Sequence, residues 1–545
     1  MKPLMYFSIS FLFLFVAAPQ SGATESDFTP SPTPSRIVLN PTESPMTSQA
    51  ITWRTDAGTE DGQVIVEPAA GGAPLTVNAE AGPPVSFPGW EYQSRHHSAV
   101  ITGLAADTGY RYRVGSEAGW SEWRSFRTAD DGSDPWTMLY FGDAQNNLGE
   151  SWRPVIEKAF AATPEAERTI HTGDLINNSS IDEEWGQWFA GLEGHADRIE
   201  TMPSTGNHEL SSDSFGVQFA QHFTMPENGP LLARNTVYFT DFQGVRLIAL
   251  DGNGTDALGQ LEFLRNALEN NPNRWTVVHF HQPIFSGSVG RDNPINRAFI
   301  MPLLEQYNVD LVLQGHDHVY ARGHVTENET DVPGVTDGPV YTVAVAGPKY
   351  YELSPADKNN WTDNGATRVK GYNQTSTFQP IRFDGDRLYY RSIIAAKGEG
   401  SDAPGDIGDE LDSFTITKLA DGSKEVTEGI KPPENEPPAE TTPAGRMKVL
   451  KLLKPRGKFF QKAVVKVTAP GRLTIKGHLA GQKSRAISPV SRKLTRSGKH
   501  TIRLVPKPQA RRKAARKRKA VIKFTYRPTA GDIKIVKRRT GFRKR

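Results

Sequence analysis

The stretch Leu311-Val312-Leu313-Gln314-Gly315-His316-Asp317-His318-Val319-Tyr320 constrains the fold more than any other. An apolar run that ends at a glycine reads as a fully buried strand, most naturally a parallel one. Gly315 lets the chain turn at the strand end, and His316 and His318 then project from the loop. Open α/β sheets bind ligands at that carboxyl edge. Two imidazoles held there suit a borderline metal. Taken alone, the loop is equally explained by one histidine in a core and one on the surface.

Four upstream segments repeat the pattern. Leu139-Tyr140-Phe141-Gly142 leads to Asp143, with Gln145 two residues on, and Thr169-Ile170-His171-Thr172-Gly173 leads to Asp174. Pro203-Ser204-Thr205-Gly206 leads to Asn207-His208-Glu209, and Trp275 to Phe280 leads to His281-Gln282-Pro283. Three of the four share the design of an extended run, a glycine and a ligand. Residues 152–162, 183–192, 258–270 and 295–307 carry helical patterning. Strands alternating with helices indicate a sheet whose carboxyl ends converge on one site.

A chain of 545 residues has room for two to four domains. Lys2 precedes one apolar stretch running to Ala18, and Ser21-Gly22-Ala23 offers a cleavage site. Residues 1–23 therefore read as a secretory signal peptide, with a membrane anchor as the alternative. The run is short for a span and no second one follows, so no stable membrane span is expected after cleavage. The chain has no cysteine. A disulfide-free exported chain of this size points to a bacterial protein that is secreted or envelope-associated.

Net charge is +3, but residues 446–545 hold 34 of the 64 Lys and Arg and a single acid, Asp532. So sharp a break marks a domain boundary. Residues 24–35 are Pro/Ser-rich and read as a disordered terminus. Residues 36–128 hold short alternating runs separated by Gly, Pro, Asn and Asp, the spacing of a β-sandwich. Residues 136–418 carry the ligand-bearing strands, and 429–445 form a Pro/Glu-rich linker. Residues 446–545 alternate apolar and polar positions and read as a small basic β-sandwich-like domain. Its run Arg511 to Lys519 is either a solvated loop or an attachment site for a polyanion.

The convergent set is Asp143, Asp174, Asn207, His208, His281, His316 and His318. Two neighbouring cations need an anion between them, and a carboxylate such as Asp174 can bridge. Mixed oxygen and nitrogen ligands suit Fe, Mn or Zn better than Mg or Ca. A metal pair can hold a phosphate ester, activate a water and stabilise a leaving oxygen.

Gly142-Asp143, Gly173-Asp174, Gly206-Asn207-His208-Glu209, His281-x-Pro283 and Gly315-His316-Asp317-His318 resemble the five blocks of the calcineurin-like metallophosphoesterases. The β-rich region in front, with Leu104 to Val114 similar to the fibronectin type III signature, and the segment Gly315 to Arg322 resemble the purple acid phosphatases. The resemblance implies a multidomain fold: an all-β fibronectin III-like sandwich, an α/β (α+β) metallophosphoesterase β-sandwich flanked by helices, then the basic β-rich domain. It implies that Asp143, Asp174 and His318 bind one metal, that Asn207, His281 and His316 bind a second, and that Asp174 bridges. His208 would contact the phosphate and protonate the leaving group.

The chain departs from the family at several places. Asn177 stands where purple acid phosphatases have an Fe(III)-binding tyrosine, so no purple colour is expected. Gln145 stands where many relatives have a histidine, and it offers a carbonyl oxygen. No histidine follows the His281-x-Pro283 block closely, which leaves Arg291 and Asn293 as candidates for substrate contact. His171 and His279 read as buried structural residues.

The expected function is a secreted dinuclear-metal phosphatase that hydrolyses phosphate monoesters by attack of a metal-bound hydroxide. Two alternatives remain open: a phosphodiesterase or nucleotidase with the same site, and an envelope polyanion-binding protein with an inert metal site. The expected partners are a phosphate ester substrate and an anionic envelope polymer held by residues 446–545.

Overall fold

The computed structural model describes residues 28–130, 134–213, 216–430, 447–453, 461–468, 470–479, 487–494, 498–505, 520–528 and 534–540. The proposed signal peptide, nearly all of the Pro/Glu-rich linker and the basic run 511–519 lie outside the described residues. Among the described residues, no helix is long and apolar enough to cross a membrane.

Two sheets face each other across residues 136–428. In the first, strands Trp136–Phe141, Ala166–His171 and Glu200–Pro203 pair in parallel, in chain order. Antiparallel strands Thr375–Asp384, Arg387–Lys397, Glu410–Lys418 and Lys424–Glu428 extend it from the other side of Trp136–Phe141. The domain thus ends at 428 rather than at the expected 418. The last strand carries Lys424 into the core, where its ammonium donates to the Val309 carbonyl at 2.6 Å.

The second sheet runs in the order Tyr238–Phe242, Val245–Ala249, Trp275–His279, Leu311–Gln314, Val340–Val343, Tyr320–Val325 and Ala366–Tyr372. Leu247, Val277 and Leu313 point between the sheets, against Phe141, Ile170 and Met202. Ile248, Val278 and Val312 point outward, under Leu264 and Leu304 of the covering helices. These strands are buried on both faces, so they read as continuous apolar runs rather than alternating ones.

Helices Leu148–Ala162 and Asp182–Gly191 cover the first sheet, and Ala257–Glu269 covers the second. The helix expected over 295–307 is two, Pro294–Phe299 and Met301–Tyr307. Pro302 has no N–H for the preceding turn, so the helix breaks before it.

The N-terminal sandwich packs strands Ser35–Asn40, Ser48–Asp56 and Gln93–Thr102 over Gln63–Pro68, Gly109–Ser116 and Arg124–Arg127. Its core includes Leu39, Ile51, Trp53, Val64 and Tyr112. The Ala105 amide donates to the Tyr110 hydroxyl at 2.8 Å and locks the turn before Gly109–Ser116. Leu39 pairs in parallel with Glu200, so one 13-stranded sheet crosses from the sandwich into the second domain.

Residues 28–35, expected to be disordered, are tied into that junction. The Phe28 ring fills the space above Gly186, and its carbonyl accepts from Arg54 at 2.7 Å. Beside it Asp182 accepts from Arg36 at 2.6 Å and Arg54 at 2.7 Å, all three nearly sealed from water, and from the half-buried Tyr92 hydroxyl at 2.8 Å.

Beyond 446, strands Met447–Leu453, Gln461–Val467 and Gly498–Leu504 form one sheet. Strands Val490–Leu494, Gly471–Leu479, Ala520–Pro528 and Lys534–Thr540 form another. Val465, Leu473, Ile475, Ile502, Ile522 and Phe524 fill the space between them.

Asp182 sets a test of the junction. Burial pushes its carboxyl up, but Arg36 and Arg54 outweigh this and hold it down at about 2. Its contribution to stability is complete above the ordinary carboxyl value of about 4 and is lost as pH falls toward about 2. Asp182→Asn leaves two buried guanidinium groups unpaired and is expected to cost about 3–5 kcal/mol in urea unfolding at neutral pH. The wild type is expected to lose that advantage between about pH 4 and pH 2.

Candidate metal centre

Five loops at the carboxyl ends of parallel strands bring the predicted ligands together. Asp143 follows Trp136–Phe141, Asp174 follows Ala166–His171 and Asn207 follows Glu200–Pro203. His281 follows Trp275–His279, and His316 and His318 follow Leu311–Gln314. The two sheets meet at the site itself, where Asp143 bridges in parallel to Val345. The backbone is crowded here. A side chain at Gly315 would run into the Asp143 carboxylate, and one at Gly206 into that of Asp174. Asp174, His316 and His318 hold positive φ values of 51°, 73° and 51°. Non-glycine residues pay strain for that conformation, and such strain concentrates at functional sites.

The side chains form two ligand groups that share one carboxylate. Asp174, His281 and His316 make the first; Asp143, Asp174 and His318 make the second. His281 Nε2 lies 3.1 Å from Asp174 Oδ2 and 3.2 Å from Asn207 Oδ1. His316 Nδ1 lies 3.0 Å from His281 Nε2. His318 Nε2 lies 3.2 Å from Asp143 Oδ2. The far nitrogens orient two of the rings: His281 Nδ1–H donates to the Thr172 carbonyl at 2.8 Å and His318 Nδ1–H to that of Lys349 at 2.9 Å. Both rings thus turn Nε2 inward, as ligating histidines do.

The electrostatics ask for a cation. Burial pushes Asp143 up to about 8. Burial also pushes His281 down, yet Asp174 and Asp143 reverse this and hold it up at about 10. Burial acts upward on Asp174, but His281 and His208 outweigh it and keep the carboxylate ionised well below its usual range. Burial lowers His316 to about 2 and His318 to about 3, so both are neutral with free lone pairs. Without a metal, a proton on His281 serves as the balancing charge. The donor set fits two borderline cations. Two buried oxygens in it, Asp143 Oδ2 and Gln145 Oε1, have no hydrogen-bond partner.

Residues 34–128 match the family model of the purple acid phosphatase N-terminal domain, and residues 139–320 match that of the calcineurin-like phosphoesterases. Residues 139–320 thus form a domain of the calcineurin-like phosphoesterase family. The N-terminal domain of the chain is of the purple acid phosphatase type. An uncharacterized protein of Mycobacterium tuberculosis is 28% identical over 287 residues, 44% of this chain and 54% of that one. Purple acid phosphatase 23 of Arabidopsis thaliana is 26% identical, over 45% of this chain and 60% of its own. Probable inactive purple acid phosphatase 9 of the same plant is 27% identical, over 47% and 46%. The chain spans about half the length of the curated relatives it matches. Among solved structures, purple acid phosphatase PPD1 from yellow lupin seeds aligns over 71% of this chain and 74% of its own, with 20% identity and a TM-score of 0.59. PhoD aligns over 76% and 94%, with 13% identity and a TM-score of 0.51. Both likenesses concern the fold.

The metallophosphoesterase domain distributes the predicted residues unevenly. Asp143, Asp174, Asn207, His281, His316 and His318 all reach the centre. Gln145 is buried beside it, its amide 3.1 Å from Asp174 Oδ2 and 3.0 Å from His318 Nε2. Turning that amide over would bring its carbonyl oxygen to the same position. His208 stands at the rim with its side chain 22% exposed. Its Nδ1–H donates to the Asn177 carbonyl at 2.5 Å, and Nε2 lies 3.9 Å from Asp174 Oδ2. Asn177, a possible ligand in the sequence, instead holds His208 through its backbone, while its side-chain oxygen accepts from Asn146 at 3.3 Å.

Arg291 reaches the centre: its guanidinium touches His316 Nε2 and donates to Asp317 at 2.9 Å. Asn293 does not. Its amide is spent on the Pro283 carbonyl at 3.1 Å and on Ser286 at 3.4 Å, which corrects the expectation of a substrate contact. His171 stacks on Phe141 and His279 is sealed in the core; neither belongs to a ligand group.

Sequence reasoning missed Glu209. This buried carboxylate accepts from the amides of Asp174 at 2.9 Å, Leu175 at 2.8 Å and Gly206 at 2.6 Å. It clamps two ligand loops together. Its place directly after Asn207-His208 was the available signal. Glu209→Gln is expected to weaken metal affinity about 10–100-fold, as loss of a ligand's supporting partner does. Competition with a chelator measures this, and unchanged affinity would contradict the clamp.

Proposed function

We propose that this protein is a secreted phosphatase that hydrolyses phosphate monoesters at a dinuclear metal centre. The observation that carries the reading is the pair of ligand groups sharing Asp174. Asp143, Gln145 and His318 would hold one ion, Asn207, His281 and His316 the other, with Asp174 between them. Such a pair, when bound, supplies a water of lowered pKa and withdraws charge from phosphoryl oxygens.

The chain's own residues supply the rest. Asp174, fixed by the His208 amide at 3.0 Å and by the clamp of Glu209, sets the spacing of the centre. His208, with Nδ1–H given to Asn177, turns Nε2 toward the cleft, where it can give a proton to the departing alkoxide. Arg291 places a fixed positive charge at the rim beside His316, suited to a phosphate oxygen. Aromatic packing steadies it: the guanidinium sits 5.0 Å from the Tyr351 ring centre.

A second reading, a phosphodiesterase or nucleotidase, is favoured by a cleft of about 740 Å³ lined by Asn146, Asn147, Asn177, Glu183, Glu184 and Arg153. Asn177, whose carbonyl holds His208, connects it to the centre. The cleft has room for a leaving group much larger than a simple alcohol. Export rests on residues 1–23, and we take residues 446–545 as a separate cationic module.

Hydrolysis of paired chromogenic mono- and diesters by the metal-loaded chain tests the reading. Monoester turnover is expected to exceed diester turnover. His208→Ala is expected to lower kcat by about 10²–10⁴-fold with metal content retained. Diester preference would select the second reading. Absence of turnover on both, after loading with Fe, Mn or Zn, would overturn the proposal.

A further inference from the structure

Like charges set directly opposite one another across strands destabilise a sheet. The C-terminal sheets do this twice. In the first, Lys448 pairs with Lys466, and Lys466 with Lys499. In the second, Lys476 pairs with Lys523, and Lys523 with Lys537. All six are exposed, and Val465, Val467, Ile475, Ile522 and Phe524 beside the lysines of the inner strands turn into the shared core, so each row lies on an outer face. None of the six forms a salt bridge among the described residues. Arg472 and Lys493, opposite each other at the end of the second row, are paired with Asp421 and add no free charge to it. Only one acid, Asp532, lies in residues 446–545 to offset this charge.

We propose that these two lysine rows, one on each outer face of the sandwich, are docking sites for a linear phosphodiester polymer of the poly(glycerol phosphate) class. Adjacent strands stand about 4.8 Å apart, so three lysines in register form a line roughly 10 Å long across each sheet. A line of cations complements a line of anions. Lysine is a compact point charge on a flexible stem and can follow the singly charged diester groups of a flexible chain. Single-stranded nucleic acid is the less suitable occupant, because its binding relies on aromatic platforms for the bases. The aromatic side chains described in this part, Phe524 and Tyr526, are buried. A lipid surface calls for a cluster of exposed apolar anchors, and here the exposed apolar residues Leu450 and Ile535 stand on different sheets. The repulsion built into each row is relieved when the polymer binds.

Binding of fluorescent poly(glycerol phosphate) to the full chain, measured at several salt concentrations, tests this. The combined variants Lys476→Gln/Lys523→Gln/Lys537→Gln and Lys448→Gln/Lys466→Gln/Lys499→Gln are expected to bind at least about 10-fold more weakly. Each is expected to flatten the dependence of log K on log salt by about two, near the 0.7–0.9 per phosphate contact seen with nucleic acids. Because like charges are removed, Tm is expected to hold or rise in both, so weaker binding will not be a folding defect. Unchanged affinity in both variants overturns the proposal. So does absence of binding, or tighter binding of single-stranded DNA or phosphatidylglycerol vesicles than of the polymer.

Discussion

Asp143 and Asp174 are buried side by side among three imidazoles, and this is the constraint on which the rest of the molecule depends. Two carboxylates at such depth repel each other and lack water to screen them. The chain answers with a proton on His281 when no other cation is present, while burial keeps His316 and His318 neutral. A metal pair answers better, since each ion takes the lone pairs that the proton leaves idle.

Holding it together is the work of the fold. Parallel strands buried on both faces end at one edge, and their loops turn there in conformations that tolerate no extra atoms. Gly206 and Gly315 each leave room for a carboxylate of the opposing loop. Glu209 gathers the amides of two loops, and the carbonyls of Thr172 and Lys349 aim two imidazoles. The N-terminal sandwich contributes at a distance, by continuing the sheet through Leu39 and Glu200 and by the sealed ion cluster around Asp182.

Much of this was legible in the sequence because metal ligation demands particular residue types at particular strand ends. The apolar runs before Asp143, Asp174, His281 and His316 announced the sheets, and the six candidate ligands lie at the strand ends those runs marked. What stayed hidden was set by tertiary contact. No local pattern distinguishes Asn293, which turns back to Pro283, from Arg291, which turns to the centre. The strand Lys424–Glu428 reads as a polar exposed segment, and only the pocket formed by the Val309 carbonyl explains its buried lysine. Residues 28–35 look disordered by composition, yet Phe28 finds a glycine-lined slot on a helix far along the chain. The lysine rows likewise emerge only from strand register.

The shared carboxylate is the central claim, and counting metal ions on the wild type and on Asp174→Asn tests it most directly. The wild type should hold about two ions per chain. Loss of the bridge should leave both sites weak, so the variant should retain fewer than one. A variant that still holds two, or that loses one ion while keeping the other at full affinity, would contradict a centre built around Asp174.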